Sequence, residues 1–161
     1  MTAQHGSLHW DSLRERWACR FPMRVRYAET DRMGIAYNAH YLTWFEVGRT
    51  EFMRCSGLSY RAVEERGVNL PLVEATLRLR APVLYDDVIE IETHIEKLRS
   101  RAIVFGYAIL ANENLRAEGT TTHACMDART KEAVSFPAWL RDHLADLGNP
   151  PGTRLPERTG E

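Results

Sequence analysis

The stretch YAETDRMGIAYNAHYLTWFEVGRTEFMR, residues 27–54, decides the reading of this chain. It begins as the end of a strand, breaks at Gly34, and then recurs with helical period: Tyr41, Phe45, Gly48, Phe52 and Cys55 fall at steps of four and three. Leu42, Trp44, Val47 and Met53 widen that apolar face until only Thr43, Glu46, Thr50 and Arg54 remain for a polar stripe. A helix so apolar needs a cover on most of its circumference, and a sheet wrapped around it would provide one. Directly before it, Asp31 sits in a glycine-containing loop.

Working outward, the residues before the loop, FPMRVRYAE from Phe21, alternate Met23, Val25 and Tyr27 against Arg24 and Arg26, which predicts a first strand. After the helix, CSGLS ends it with a glycine cap at Gly57, and YRAVEERG adds one or two turns before Gly67. The period then changes. Leu77 and Leu79 alternate with Arg78 and Arg80, and Ile89, Ile91 and Ile95 alternate with Glu90, Glu92, His94 and Glu96, as in half-exposed strands. RAIVFGYAILAN reads as a central strand and LRAEGTTTHACMDA as a fifth, with turn signals at YDD, LRSR and NEN. AWLRDHLADLG predicts a second helix between Pro137 and Gly148. The expected architecture is α+β: one long central helix wrapped by a five-stranded antiparallel sheet, in a single domain over residues 21–147. Residues 1–20 form an N-terminal extension and residues 148–161 a tail too poor in apolar residues to pack.

Composition narrows the function. The 161 residues carry a net charge of -1, with 44% hydrophobic and 27% charged residues, which suits one buried core and gives no electrostatic reason to bind nucleic acid or a membrane surface. Cations are almost all arginine, with lysine only at Lys97 and Lys131, so any anion site is built from guanidinium forks. Cys19, Cys55 and Cys125 are far apart and odd in number, as expected of buried thiols in a reducing compartment. The N-terminus lacks the apolar segment of a signal peptide, and no uncharged apolar run reaches about 18 residues, so no membrane insertion is expected and the cytoplasm is the default. His5 and His9 have helical metal spacing but no third ligand nearby, and no metal is expected.

The motifs T-D-x-x-G, at Thr30 to Gly34, Y-N-x-x-Y, at Tyr37 to Tyr41, and E-x-x-R, at Glu46 to Arg49, stand in that order. In this the chain resembles the 4-hydroxybenzoyl-CoA thioesterase family of hotdog-fold acyl-CoA thioesterases. The likeness continues through RAPVLYDDVIEIET and AEGTTTHACMD to FPAWL, from about Phe21 to Leu144. It implies an acyl-CoA substrate cleaved to free acid and CoA, and a homo-oligomer, dimer or tetramer, whose sheets join and whose sites form between subunits. Asp31 takes the place of the catalytic carboxylate and the Asn38 amide that of the carbonyl-binding donor. Where this chain has Asn38, many relatives have histidine.

The residues give the same assignment a physical basis. Thioester hydrolysis needs an attacking group or an activated water, and donors where charge gathers on the carbonyl oxygen. Asp31 offers the first. The amides at the helix start, around Tyr37 and Asn38, offer the second, since they lack intrahelical acceptors and carry the positive end of the helix dipole. Gly34 allows the tight turn between them and, with Ile35 and His40, is a candidate for lining the substrate. Lys97 to Arg101 is the most basic turn of the strand region, which makes Arg99, Ser100 and Arg101 the candidates for CoA phosphates.

Each residue has a plainer role beside this one. Asp before a helix serves as a cap or Asx-turn residue, Glu46 three residues from Arg49 can form an ion pair, Arg99 to Arg101 can be a solvated hairpin, and Tyr37, Tyr41 and Trp44 can be core. No GxGxxG, Walker lysine or GxSxG motif occurs, and no cofactor is expected. A hydratase or dehydratase on the same fold would want a histidine paired with a carboxylate, for which His40 is the local candidate. A non-catalytic acyl-CoA or acyl-carrier binding protein would keep the pocket and tolerate loss of Asp31.

Overall fold

The computed structural model describes residues 6–148, so the expected tail, beyond Gly148, and His5 lie outside the described residues. Six antiparallel strands form one sheet in the order β1-β2-β5-β6-β7-β4. In chain order they are β1 (Ser7–Asp11), β2 (Arg16–Arg24), β4 (Leu72–Leu79), β5 (Val88–Leu98), β6 (Ala102–Ala111) and β7 (Asn114–Ala124). Two short strands, β3 (Val68–Asn69) and β8 (Met126–Asp127), pair apart from it.

The long helix α1 (Asn38–Cys55) lies on the inner face of this sheet. Its buried residues are Tyr41, Trp44, Phe45, Gly48, Phe52 and Met53, most of the predicted apolar face, but Leu42 is exposed and Val47 and Cys55 are half-buried, so the helix is less enclosed than its spacing predicts. Gly48 is where helix and sheet come nearest: a Cβ there would meet Ile91 and Thr93 of β5 at 2.5 Å. Phe45 stacks on Tyr107 of β6 at 4.3 Å between centroids. From β6, Ile103, Phe105, Tyr107, Ile109 and Ala111 all point into this core, the period of two expected of a central strand. Two small helices complete the fold, α2 (Tyr60–Glu65) and α3 (Ala138–Asp146), the latter seating Leu140 and Leu144.

Two expectations change at the N-terminus. Residues 7–20 are part of the sheet, not an appendage: β1 pairs with the first half of β2, Ser7 opposite Arg20 and Trp10 opposite Trp17, so the sheet has six strands where five were expected. The strand predicted to run through Tyr27 stops at Arg24, because residues 27–29 wind into a 3-10 turn that leaves Tyr27 78% exposed.

The chain direction fixes two ends. Val88 of β5, Leu79 of β4 and the Arg24 end of β2 lie at one, and the hairpin between β5 and β6 lies at the other. β4 is an edge, pairing only with β7 in the described chain, and Leu72, Val73 and Leu79 are exposed along it.

Candidate active site

The loop before α1 is held on both sides. The Asp31 amide donates to Ile35 O and the Gly34 amide to Asp31 O, each at 2.9 Å, closing a tight turn. Gly34 has φ +76°, a conformation that costs any residue with a Cβ. A Cβ there would meet nothing within 4 Å, so in the single chain the glycine answers to the backbone turn and not to crowding. Ala36 donates to Val83 O at 2.8 Å, and half-buried Ile35 bridges to Leu84, which ties the loop to the crossover between β4 and β5.

Asp31 is half-buried, and one of its carboxylate oxygens, Oδ1, accepts the Met33 amide at 2.8 Å. This is the Asx turn of the plainer reading. It uses one oxygen, and Oδ2 has no partner among the described residues.

Glu29, two residues earlier, was not singled out by the sequence. It is 1% exposed, and its carboxylate accepts the Arg26 amide at 2.8 Å, Arg26 Nη2 at 2.9 Å and Trp44 Nε1 at 3.0 Å. Burial by itself would raise its pKa; the hydrogen bonds from Arg26 and Trp44 overcome that and hold it below the usual 4.5. Glu29 thereby ties the turn carrying Asp31 to the second turn of α1. The three-residue spacing of Arg26 and Glu29 was the available signal, but nothing local announced Trp44 as the third partner.

At the helix start the two amides separate. Tyr37 N–H donates to Glu29 O at 2.8 Å, so it is not free to bind a carbonyl, a correction to the expectation that both amides were available. Asn38, the first residue of α1, has no intrahelical acceptor for its own amide and is exposed. The exposed side chains of Tyr27, Met33, Tyr37 and Tyr85 rim this region, with Tyr27 and Tyr85 edge to face at 5.7 Å. His40 is half-buried against Tyr37 and makes no hydrogen bond with Asp31.

Other residues stand apart. Arg99, Ser100 and Arg101 are exposed in the hairpin after β5, about 30 Å along that strand from the Asp31 end at 3.3 Å per residue; a single chain does not bring them to Asp31. Glu46 is exposed, and no Glu46–Arg49 ion pair occurs among the described residues; Arg49 instead lies 5.8 Å from the Tyr60 ring centroid. A basin of about 770 Å³ opens on the outer sheet face between Arg16, Arg20, Glu92, His94 and Glu118, none of them near Asp31. Arg20 there already bonds Glu92 at 2.8 Å and Glu113 at 3.1 Å, so the basin is an ion-paired surface. Among the described residues no three His, Cys, Asp or Glu side chains converge as a metal cluster.

A long helix wrapped by an antiparallel sheet, with a pinned carboxylate at the open helix N-terminus, defines a hotdog-fold protein. The chain belongs to the thioesterase-like superfamily, whose profile matches residues 25–144. It is 37% identical over 123 residues to the Bacillus subtilis protein named "Putative acyl-CoA thioesterase YneP", covering 73% of this chain and 88% of that one. It is 35% identical over 119 residues to the acyl-CoA thioester hydrolase YbgC of Escherichia coli O6:H1, covering 73% and 89%. Among solved structures, the hypothetical protein TT1821 of Thermus thermophilus superposes with a TM-score of 0.76 at 38% identity, covering 80% of this chain and 98% of that one.

Proposed function

We propose that the chain is an acyl-CoA thioesterase that hydrolyses the thioester to free acid and CoA, with Asp31 as its carboxylate and the Asn38 amide as its oxyanion donor. The observation that carries this is the pairing of a carboxylate with one uncommitted oxygen and a helix-start amide with no acceptor among the described residues, joined by a tight turn. The order of the three motifs supports a place within the 4-hydroxybenzoyl-CoA thioesterase branch of the superfamily. The thioester carbonyl accepts the Asn38 N–H, which favours the charge that develops on oxygen as the carbon becomes tetrahedral. Asp31 either attacks that carbon, giving a mixed anhydride that water opens, or takes a proton from the attacking water. In both routes the CoA thiolate leaves. Single-turnover hydrolysis in ¹⁸O-water separates them, since only the anhydride route leaves solvent oxygen in the Asp31 peptide.

The site works in a dimer. β4 presents an open hydrogen-bonding edge with exposed Leu72, Val73 and Leu79, a surface suited to antiparallel pairing with a second copy. A two-fold at its middle turns the far end of one chain towards the Asp31 end of the other, which is how Arg99, Ser100 and Arg101 can serve CoA phosphates. We place the enzyme in the cytoplasm, where the free thiols of Cys19, Cys55 and Cys125 stay reduced.

Thiol release from a panel of acyl-CoAs tests the reading. Turnover of at least one ester is expected; tight binding of acyl-CoA without thiol release would make the chain a binding protein. Light scattering at micromolar concentration should give a dimer or tetramer, and a clean monomer would remove the shared site.

A further inference from the structure

The three thiols of the chain are not equivalent. Cys125 is fully buried and has no thiol partner among the described residues, whereas Cys19 and Cys55, 36 residues apart in the sequence, meet: Cys19 Sγ donates to Cys55 Sγ at 3.2 Å. Bonded sulfurs stand about 2.05 Å apart, so the two atoms are about 1 Å from the length of a disulfide.

Both sulfurs ride on fixed elements. Cys19 is in the middle of β2, registered with Leu8 of β1 on one side and Thr93 of β5 on the other. Cys55 is the last residue of α1, and Ser56 closes the turn after it, its amide donating to Phe52 O at 3.0 Å and its hydroxyl to Met53 O at 2.7 Å. Strand and helix end therefore hold the thiols together by tertiary packing.

The two differ in access. Cys19 is 1% exposed, and Cys55 is half-buried. Burial, then the adjoining Cys55 sulfur, push the Cys19 thiol well above its usual range, with the Glu51 carboxylate acting in the same direction. Cys19 thus keeps its proton, and Cys55 is the sulfur that an oxidant reaches. Gly6 packs over the pair so closely that a Cβ there would meet Cys19 Sγ at 2.6 Å and Cys55 Sγ at 3.0 Å. That cover restricts the approach to the open side of Cys55 and suits a small oxidant.

We infer that Cys19 and Cys55 form a thiol-oxidation site, which hydrogen peroxide converts into an intramolecular disulfide joining β2 to the end of α1. The Cys55 thiolate attacks one peroxide oxygen, the O–O bond breaks, and Cys55 becomes a sulfenic acid as hydroxide leaves and takes up the proton that Cys55 released. The Cys19 sulfur then attacks the Cys55 sulfur. The S–S bond forms, the S–O bond breaks, and the Cys19 proton leaves with the hydroxyl as water. Two thiols are oxidised to one disulfide, and the peroxide is reduced to two waters. In a reducing compartment the pair rests as thiols, and the bond persists only while oxidant outpaces the cellular thiols. The site lies at the opposite end of α1 from Asn38, about 25 Å away at 1.5 Å per residue, so it stands or falls independently of the Asp31 chemistry.

Oxidation of the full chain tests it. Reduced protein, freed of reductant, is treated with hydrogen peroxide, alkylated under denaturing conditions and weighed by mass spectrometry. The oxidised chain should have lost two hydrogens and should take up one alkyl group where the reduced chain takes up three, and trypsin should release residues 17–20 and 55–61 as one linked peptide. Its thermal midpoint should rise by about 5 °C or more, as expected when a bond closes a loop of 36 residues, and dithiothreitol should reverse the rise. Cys55→Ala should take up two alkyl groups before and after peroxide and show no rise. Cys19→Ala, lacking the second sulfur, should hold a sulfenic acid at Cys55 that dimedone traps. Three alkyl groups on the peroxide-treated parent, a bridge that uses Cys125 or joins two chains, or a bridged chain whose midpoint is unchanged or lowered would overturn the inference, as would dimedone on Cys125 and not on Cys55 in Cys19→Ala. The measurements on the parent decide the matter even where a variant fails to fold.

Discussion

Glu29 and Asp31 are two carboxylates on one turn with opposite surroundings. Glu29 is 1% exposed and takes three hydrogen bonds, from the Arg26 amide, the Arg26 guanidinium and Trp44. Asp31 is half-buried, takes one from Met33, and keeps an oxygen uncommitted. A buried carboxylate with both oxygens engaged can orient a backbone but is not open to a substrate. The lesson is a division of labour: Glu29 fixes where the loop meets α1, and Asp31 is left with the free oxygen that the proposed chemistry requires.

Four variants sharpen or break that contrast. The largest effect belongs to Asp31→Asn, which keeps shape and the Met33 hydrogen bond but removes charge; kcat for acyl-CoA should fall by at least about 10²-fold. Its thermal midpoint should stay near the parental value, since the turn is retained. Loss of fold with loss of rate would assign Asp31 the structural part.

Glu29→Gln should show the reverse pattern. Exchanging the acceptor oxygen for an amide inside this clamp should cost about 2 kcal/mol, about 4–8 °C in Tm, with kcat below that Tm within a few-fold of the parent. Because the folded pKa of Glu29 is depressed below 4.5, its stabilising contribution is present above pH 4.5 and is lost as pH falls through the folded value. Acid unfolding curves should therefore differ between parent and variant above pH 4.5 and converge below it. A constant difference down to strong acid would contradict the clamp.

Replacing Arg99 and Arg101 together by alanine should raise KM for a CoA ester several-fold while a short pantetheine-like thioester is little affected, as for groups that bind a remote part of the substrate uniformly. Equal loss on both esters would return the hairpin to a folding role. The smallest effect is expected at Gly34→Ala: the positive φ costs about 1 kcal/mol, and the open space around the new Cβ adds nothing. A much larger loss of activity than of stability would mean that substrate or partner backbone passes close to this position.

Much of this was legible in the sequence because it depends on periodicity. Most of the apolar stripe of α1, the central place of β6 and the cap-to-cap extent of α3 follow from sequence pattern alone, and the Asp31 turn from Gly34. The first half of β2 is less legible, although RWACRFPMR alternates Trp17, Cys19, Phe21 and Met23 against Arg16, Ala18, Arg20, Pro22 and Arg24. Pro22 argues against a central strand, yet β1 pairs only with residues 16–20, so at Pro22 no ladder bond toward β1 is needed. What spacing could not reveal was competition for donors. That Tyr37 N–H goes to Glu29 O, and that Arg49 turns to Tyr60 and not to Glu46, depends on residues brought together by the fold.

The central claim is that the loop carboxylate, and not the exposed carboxylate on α1, carries the reaction. Thiol release from one acyl-CoA, measured side by side on Asp31→Asn and Glu46→Gln at matched concentrations of folded protein, tests it directly. The account predicts that Asp31→Asn loses at least about 10²-fold in kcat while Glu46→Gln turns over near the parental rate. Parental turnover by Asp31→Asn with a dead Glu46→Gln would contradict it and move the site onto the helix.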